Sequence, residues 1–202
     1  MTDAISRFAV GAGSHNAAVG AARRDNAQEG ETMTRARTRN ASRKARPVVG
    51  NVEGTAKSPQ NYQSSIQTNV AHEQAFAEIG RVAKWWNKRV TGSSEKIGDR
   101  FKVDFGPTWV EFRVVESVAN QKIVWEVTDC YLHWIHDKTE WTGTKIVWEL
   151  EQANAYTKVT MTHVGLTPAA ECFDACEAGW NFYVGESLLK LFTEGRGMPD
   201  RM

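Results

Sequence analysis

The last forty residues constrain everything before them. A strand-like run ending at Thr162-His163-Val164 turns at Gly165-Leu166 and opens into one long helix, in which Trp180, Val184, Leu188 and Leu191 or Phe192 recur at three- and four-residue steps, with Tyr183 beside them. Gly195 stops that helix and Pro199 prevents its resumption. A helix with so wide an apolar stripe has to lie across a matching surface.

That surface is upstream. Between Tyr62 and Val164 apolar and polar residues alternate in short runs, separated by turn chemistry at Gly92-Ser93-Ser94, Gly106-Pro107, Ala119-Asn120, Gly143 and Asn154-Ala155. One parity carries Phe101, Val103 and Phe105; Val110, Phe112 and Val114; Ile123, Trp125 and Val127; Ile146, Trp148 and Leu150; Val159, Met161 and His163. The other carries Lys102, Asp104, Glu111, Arg113, Glu126, Glu149, Lys158 and Thr160. One buried and one wet face describe an antiparallel sheet covered by helices on a single side. The expected class is α+β, a sheet gripped by a carboxyl-terminal helix.

Tyr62, Ser64, Ile66 and Thr68 read as an edge strand, and a helix follows with Ala75, Phe76, Ile79, Val82, Ala83 and Trp86 on a common face. Ala71 gives that helix no side-chain cap, a local cost of about 1 kcal/mol. The closing helix is expected to start with Thr167 as N-cap and Pro168 at its first position, with Glu171 facing the helix dipole. Gly179 and Gly185 are poor helix formers in its interior and predict close approach to the sheet or a bend near Ala178.

From Tyr62 to Pro199 the chain resembles the SRPBCC superfamily, the START-like and birch-pollen-allergen-like folds, and within it the branch named for homologues of the heat-shock-protein-90 ATPase activator. The residues that carry the resemblance are Phe76, Trp85-Trp86, Gly98-Asp99-Arg100-Phe101, Lys122-Ile123-Val124-Trp125, Trp141-Thr142-Gly143-Thr144, Thr162-His163-Val164-Gly165-Leu166, Gly179-Trp180, Ser187-Leu188-Leu189, Gly195 and Gly197-Met198-Pro199. The resemblance implies a helix-grip fold: a curved antiparallel sheet, a long C-terminal helix across its concave face, and often a cavity between them. It fixes fold better than activity, because that scaffold hosts binding proteins, cyclases, hydrolases and co-chaperone modules.

Residues 1–58 read differently. Phe8 is their only aromatic, whereas all eight tryptophans fall between Trp85 and Trp180. They hold ten Lys/Arg against five Asp/Glu, while residues 59–202 hold fifteen against nineteen. The first 58 residues are therefore expected to be a disordered basic tail, and residues 59–202 the one domain. No aromatics interleave with Arg35 to Arg46, so specific nucleic-acid binding is not expected. A transit segment and a translation start at Met33 both stay open for residues 1–32. No run is long enough to span a bilayer, and the expected compartment is the cytoplasm.

If the helix leaves part of the inner face uncovered, aromatics should line the hollow: Trp86, Phe105, Trp109, Phe112, Trp125, Trp148, Met161, Trp180 and Tyr183 are the candidate ligand contacts, with His163 beside them. The alternative is that the same residues simply fill a core. His163 is the candidate for proton transfer to a bound carbonyl, against the alternative that its ring ties the last strand to the helix. Cys130, His133, Cys172 and Cys176 form a zinc set if the loop from Asp129 to Asp137 folds onto the helix, and Cys172 could pair with Cys176 or Cys130. Otherwise the thiols are buried apolar side chains, with His133 and His136 facing solvent. No phosphate-cradling loop, nucleophile elbow or H-E-x-x-H helix is present, and no cofactor is expected.

The leading expectation is a binding module for a small apolar or aromatic molecule, with a cavity reaching the surface near Trp134 and Trp141. A protein-interaction module similar to the chaperone-activator domain is the second; residues 1–58 are too poor in apolar residues to supply a separate amino-terminal activator domain. A cyclase- or dehydrase-like enzyme using His163 is the third. The edge strand at Tyr62 to Thr68 could pair with a copy of itself.

Overall fold

The computed structural model describes residues 60–153 and 155–200; the expected basic tail and the Met33 start lie outside the described residues. The strands are β1 (Tyr62–Thr68), β2 (Val90–Gly92), β3 (Arg100–Asp104), β4 (Trp109–Val118), β5 (Lys122–Tyr131), β6 (Lys145–Ala153) and β7 (Tyr156–Val164). They form one antiparallel sheet in the order β1-β7-β6-β5-β4-β3-β2, with β1 and β2 at opposite edges. Helix α1 (His72–Gly80) and a 3-10 turn, Val82–Lys84, carry the chain between those edges. The closing helix comprises α2 (Phe173–Phe182), a π-helical turn (Tyr183–Leu188) and α3 (Leu189–Glu194).

The parity read from the sequence is the parity of burial. All fifteen inward positions, from Phe101 to His163, are buried. Across β6 and β7, Trp148 faces Met161 and Ile146 faces His163; across β3 and β4, Phe101 faces Phe112. Register shifts at Glu111/Phe112 and at Val114/Glu116 interrupt the β4-β5 ladder, and such bulges bend a sheet and increase its twist. On the outer face Lys102 meets Glu111 at 3.3 Å and Arg113 meets Glu126 at 2.9 Å, exposed pairs that contribute little to stability.

Three local expectations are corrected. First, α1 stops at Gly80 instead of running to Trp86, because Arg81 leaves helical geometry (φ −86, ψ 55). The Trp85 indole N–H donates to Ile79 O at 3.1 Å and the Ser94 hydroxyl to Gly80 O at 2.6 Å, so side chains satisfy the final carbonyls. The break buries Trp85 and Trp86, stacked 5.8 Å apart, and leaves Ala83 exposed. Ala71 precedes this helix with no side-chain cap, as expected.

Second, the closing helix starts at Phe173, not after Thr167. Residues 167–172 form turns, and a carboxylate from a distant loop, Glu140, accepts the N–H groups of Glu171 and Cys172. Third, the helix is irregular at Tyr183–Leu188, not near Ala178. That π-helical turn contains Gly185 and buries Tyr183, Val184, Ser187 and Leu188 together, widening the face the helix offers the sheet. Gly185 makes no close approach; a Cβ there would meet nothing within 4 Å. Gly195 ends the helix in the left-handed region at φ 70.

Candidate functional site

His163 is the last inward residue of β7, opposite Ile146, and is fully buried. The Trp180 indole N–H donates to its Nδ1 at 3.1 Å, which assigns the ring proton to Nε2. Nε2 then donates to Thr144 Oγ1 at 3.0 Å, and that hydroxyl donates to Trp141 O at 2.6 Å. Trp141 also stands edge-on to the ring at 4.6 Å. Burial lowers the imidazole pKa to about 3, so the ring is neutral. Proton transfer to a bound molecule needs a free ring nitrogen, and both are engaged. The geometry is that of a tie between β7, α2 and the β5-β6 loop.

The cysteines do not assemble a metal centre. Among the described residues no group of three or more His, Cys, Asp or Glu side chains comes together in a way that could hold an ion, so Cys130, His133, Cys172 and Cys176 stay separate as a ligand set. Cys130 Sγ lies 3.5 Å from Thr142 Oγ1, Cys172 Sγ accepts the Trp141 indole N–H at 3.2 Å, and His133 Nδ1 lies 2.7 Å from Thr108 Oγ1. All three thiols are free and buried. Burial pushes the Cys130 pKa up; it pushes Cys176 well up, with neighbouring Cys172 adding to the effect. Protonated and enclosed, Cys130 and Cys176 are poor nucleophiles. His136 is exposed, as expected, while His133 is half-buried against Thr108.

The loop between β5 and β6 carries the remaining architecture. Lys138 Nζ donates to His133 O at 2.7 Å and to Ile135 O, closing the loop on itself. Two carboxylates then clasp it to the start of the helix. Glu171 accepts the N–H of His136 at 2.6 Å and of Asp137 at 3.1 Å, while Glu140 reaches the other way to the N–H of Glu171 and of Cys172. The backbone N–H groups of His136 and Asp137 hold the Glu171 carboxyl below its ordinary range. Replacing Glu171 by Ala is expected to speed hydrogen exchange at the His136 and Asp137 amides, with the strand amides unchanged; NMR-detected exchange reads both.

Beneath this loop lies a small apolar crevice of about 50 Å³. Trp86 after the 3-10 turn, Phe105 and Thr108 from the β3-β4 turn and Val110 of β4 form one side, Leu132, Trp134 and Trp141 the loop side, and Ala175, Cys176, Gly179, Trp180 and Tyr183 the helix side. Four of the expected ligand contacts therefore meet here: Trp86, Phe105, Trp180 and Tyr183. Phe112, Trp125, Trp148 and Met161 instead fill the interior. Trp125 packs edge-on to Trp148 at 5.5 Å and to Phe101 at 5.1 Å, and Trp148 edge-on to Trp85 at 5.6 Å. Trp109 is a correction. Its parity is opposite to that of Val110 and Phe112, so it lies on the outer face, where Lys102 Nζ sits 3.8 Å from its ring centre.

Sequence reasoning named Trp134 and Trp141 only as landmarks at the surface, and left out Thr108, Val110, Leu132, Ala175 and Gly179 as contacts. The loop residues follow no periodicity that could have marked them. The clustering of Trp134 and Trp141 in a polar loop was the available signal. Tyr183 faces the crevice from the first residue of the π-helical turn, and burial, with the charge of Asp200 adding, raises its hydroxyl pKa above the ordinary tyrosine range.

Solved structures share this architecture at low identity. The Aha1 dimer from Colwellia psychrerythraea, a solution structure, superposes with a TM-score of 0.57 at 21% identity, over 68% of this chain and 99% of that one. DynU16, a putative protein in the dynemicin biosynthetic locus, gives 0.51 at 16%, over 69% of this chain and 49% of that one. The protein SSP2350 from Staphylococcus saprophyticus gives 0.51 at 14%, over 69% of this chain and 96% of that one. At such identities the likeness shows the fold alone. No curated protein matches the sequence. Residues 74–193, more than half of the chain, match the family described as Activator of Hsp90 ATPase homolog 1-like protein. With its seven-stranded antiparallel sheet and long closing helix of the SRPBCC type, the chain belongs to that family.

Proposed function

We propose that the protein is a binding module that holds a small apolar or aromatic molecule in the crevice between the β5-β6 loop and the closing helix. The observation that carries this reading is the crevice's lining: aromatic and aliphatic side chains from three separate elements converge there, and among the described residues no Lys, Arg, Asp or Glu takes part. At about 50 Å³ it is smaller than a drug-sized site, so its occupant is small or enters as the loop shifts. Turnover is not part of this reading, because the lining offers no general base and His163 keeps both nitrogens engaged.

A second reading, a protein-interaction module, has one observation in its favour. The edge strand β1 exposes Gln63, Ser65 and Gln67 and carries none of the lysines or prolines that usually blunt a sheet edge. The Colwellia relative was solved as a dimer.

Native mass spectrometry distinguishes the two. The expected result is a monomer retaining, under gentle conditions, a small organic mass that is lost on denaturation; a bare dimer would favour the β1 edge, and a bare monomer would defeat both. Ala175→Leu, which adds three carbons inside the crevice, is expected to weaken retention of a small aromatic by a hundredfold or more while the fold stays intact by circular dichroism.

A further inference from the structure

We infer that the groove between the segment following α1 and the end of the closing helix is a docking surface for an acidic peptide segment, one that carries aliphatic side chains among its carboxylates. The groove shares no residue with the crevice, so the inference does not rest on the ligand reading.

Residues 59–202 hold fifteen Lys/Arg against nineteen Asp/Glu, yet four of those cations converge on one recess. Lys84 and Lys88 come from the segment after α1, Lys190 and Arg196 from α3 and the residues that follow it. Together they line an open groove of about 600 Å³, and among the described residues no Asp or Glu lines it. A recess lined by one sign of charge concentrates the field there and draws in the opposite sign. In a domain of net negative charge the attraction is confined to that place, which orients a partner as well as holding it.

The two segments are fixed against each other before any partner arrives. The Ser187 hydroxyl donates to Trp85 O at 2.6 Å and accepts the Met198 N–H at 2.7 Å. The Asp200 N–H donates to Trp86 O at 3.3 Å, and Asp200 Oδ1 accepts the Lys88 N–H at 2.9 Å. A surface held in this way costs little to order on binding. Its cations are also available. Lys84 meets Glu78 at 3.6 Å, Lys88 meets Asp200 at 3.5 Å and Lys190 meets Glu194 at 3.4 Å, with the lysine side chains 35% to 71% exposed. Glu78 is shared with Arg81, which it meets at 2.6 Å. Loose, exposed pairs of this kind contribute at most about 1 kcal/mol, so incoming carboxylates replace them at little cost. Arg196 is exposed and has no ion pair among the described residues.

The lining also sets the class of anion. Leu191, Met198 and Pro199 give the groove apolar surface between its charges, which a purely ionic ligand would leave unused. No aromatic ring lines it, so a nucleic-acid base has nothing to stack on. The groove lies at the C-terminal end of the closing helix, where the last carbonyls oppose a concentrated dianion such as phosphate. Carboxylates spread along a peptide, with an aliphatic side chain between them, match both the charge and the apolar surface.

The test uses the full-length protein and a fluorescein-labelled probe peptide, Glu-Glu-Asp-Leu-Leu-Glu-Asp-Glu, followed by fluorescence anisotropy. Binding is expected at low salt and should weaken at least about tenfold between about 0.05 M and about 0.5 M salt. Lys190→Gln combined with Arg196→Gln is expected to weaken it by about tenfold, whereas Lys145→Gln combined with Lys158→Gln, the same change in net charge on the outer face of the sheet, should leave it unchanged. A probe with serine in place of both leucines should bind about tenfold less tightly. Ala175→Leu, aimed at the crevice, should have no effect on the peptide, so the two sites stand or fall separately. No binding at low salt overturns the inference. So does equal loss in the two double variants, which would make the attraction one of net charge, and so does binding that survives the groove variant, which would place the peptide on the basic residues Arg35 to Arg46. Tighter binding of a single-stranded oligonucleotide of equal charge would overturn the peptide assignment in favour of nucleic acid.

Discussion

The wild-type protein is expected to lose about 3 kcal/mol of unfolding free energy through His163 alone between pH 6.5 and pH 4, a loss that His163→Gln should not show. In the folded state burial lowers the ring's pKa from 6.5 to about 3. In the unfolded chain the ring titrates at its ordinary value. Between those two values the unfolded state binds one proton more than the folded state, so stability falls as pH falls, by about 1.4 kcal/mol per unit. Above pH 6.5 both states are neutral and the contribution is fully present; below about pH 3 both are protonated and no further loss follows.

The two proteins are therefore expected to be nearly level at pH 4 and to differ most at pH 8. There the variant is expected to be the less stable by about 2–4 kcal/mol, since glutamine cannot satisfy the Trp180 and Thr144 partners in the ring's geometry and leaves them buried. Carboxylates such as Glu171 and Asp99, held below their ordinary range, add their own acid sensitivity to both proteins. The informative quantity is therefore the difference between the two urea-unfolding profiles. Parallel profiles from pH 8 to pH 4 would mean that His163 ionises in the folded state and that the tie to Trp180 is open in solution.

What the sequence made legible, and what it did not, follows from the range of the interactions. Strand parity is local chemistry, and it placed His163, Met161, Trp148 and Trp125 on the buried face without any long-range information. Trp109 shows the same rule from the other side: its parity against Val110 already assigned it to the outer face, and treating every large aromatic as a cavity candidate overrode that signal. The start of the closing helix was illegible for a different reason. Thr167-Pro168 is good capping chemistry, but Glu140 and Glu171, about thirty residues apart, satisfy each other's neighbouring amides and hold residues 167–172 in turns. No local propensity encodes that exchange. The crevice depends on the same contact, which holds the loop carrying Trp134 and Trp141 against the helix together with the Trp141 indole N–H on Cys172 and the stacking of Trp141 on Trp180 at 6.0 Å. The interior was overestimated as a hollow because tryptophan packing edge to face fills space that a count of large side chains leaves undecided.

Two glycine-to-alanine changes near the end of the chain are expected to act in opposite directions. A Cβ at Gly197 would stand 2.6 Å from Lys84 O, 2.9 Å from Ser187 O and 3.0 Å from Trp85 Cα. All three are backbone atoms, so no side-chain rotation relieves the clash. The segment that would have to move is pinned at the same point: the Ser187 hydroxyl donates to Trp85 O at 2.6 Å and accepts the Met198 N–H at 2.7 Å. Lifting the segment breaks both bonds and loosens Trp85, the fully buried ring on which Trp86 stacks. Gly197→Ala is therefore expected to cost about 3 kcal/mol or more, lowering Tm by about 10 °C. Gly185, by contrast, has open space around its Cβ position and ordinary negative φ, so Gly185→Ala is expected to add about 0.5–1 kcal/mol through helix propensity. Thermal and urea unfolding of the two variants read this difference in sign directly. Because Trp86 forms a wall of the crevice, Gly197→Ala should also weaken small-molecule retention, while Gly185→Ala leaves it unchanged. A Gly197→Ala protein with wild-type Tm would show that the Gly197-Met198-Pro199 segment can leave the Ser187–Trp85 joint at no cost, and that the aromatic floor of the crevice is supported by the sheet alone.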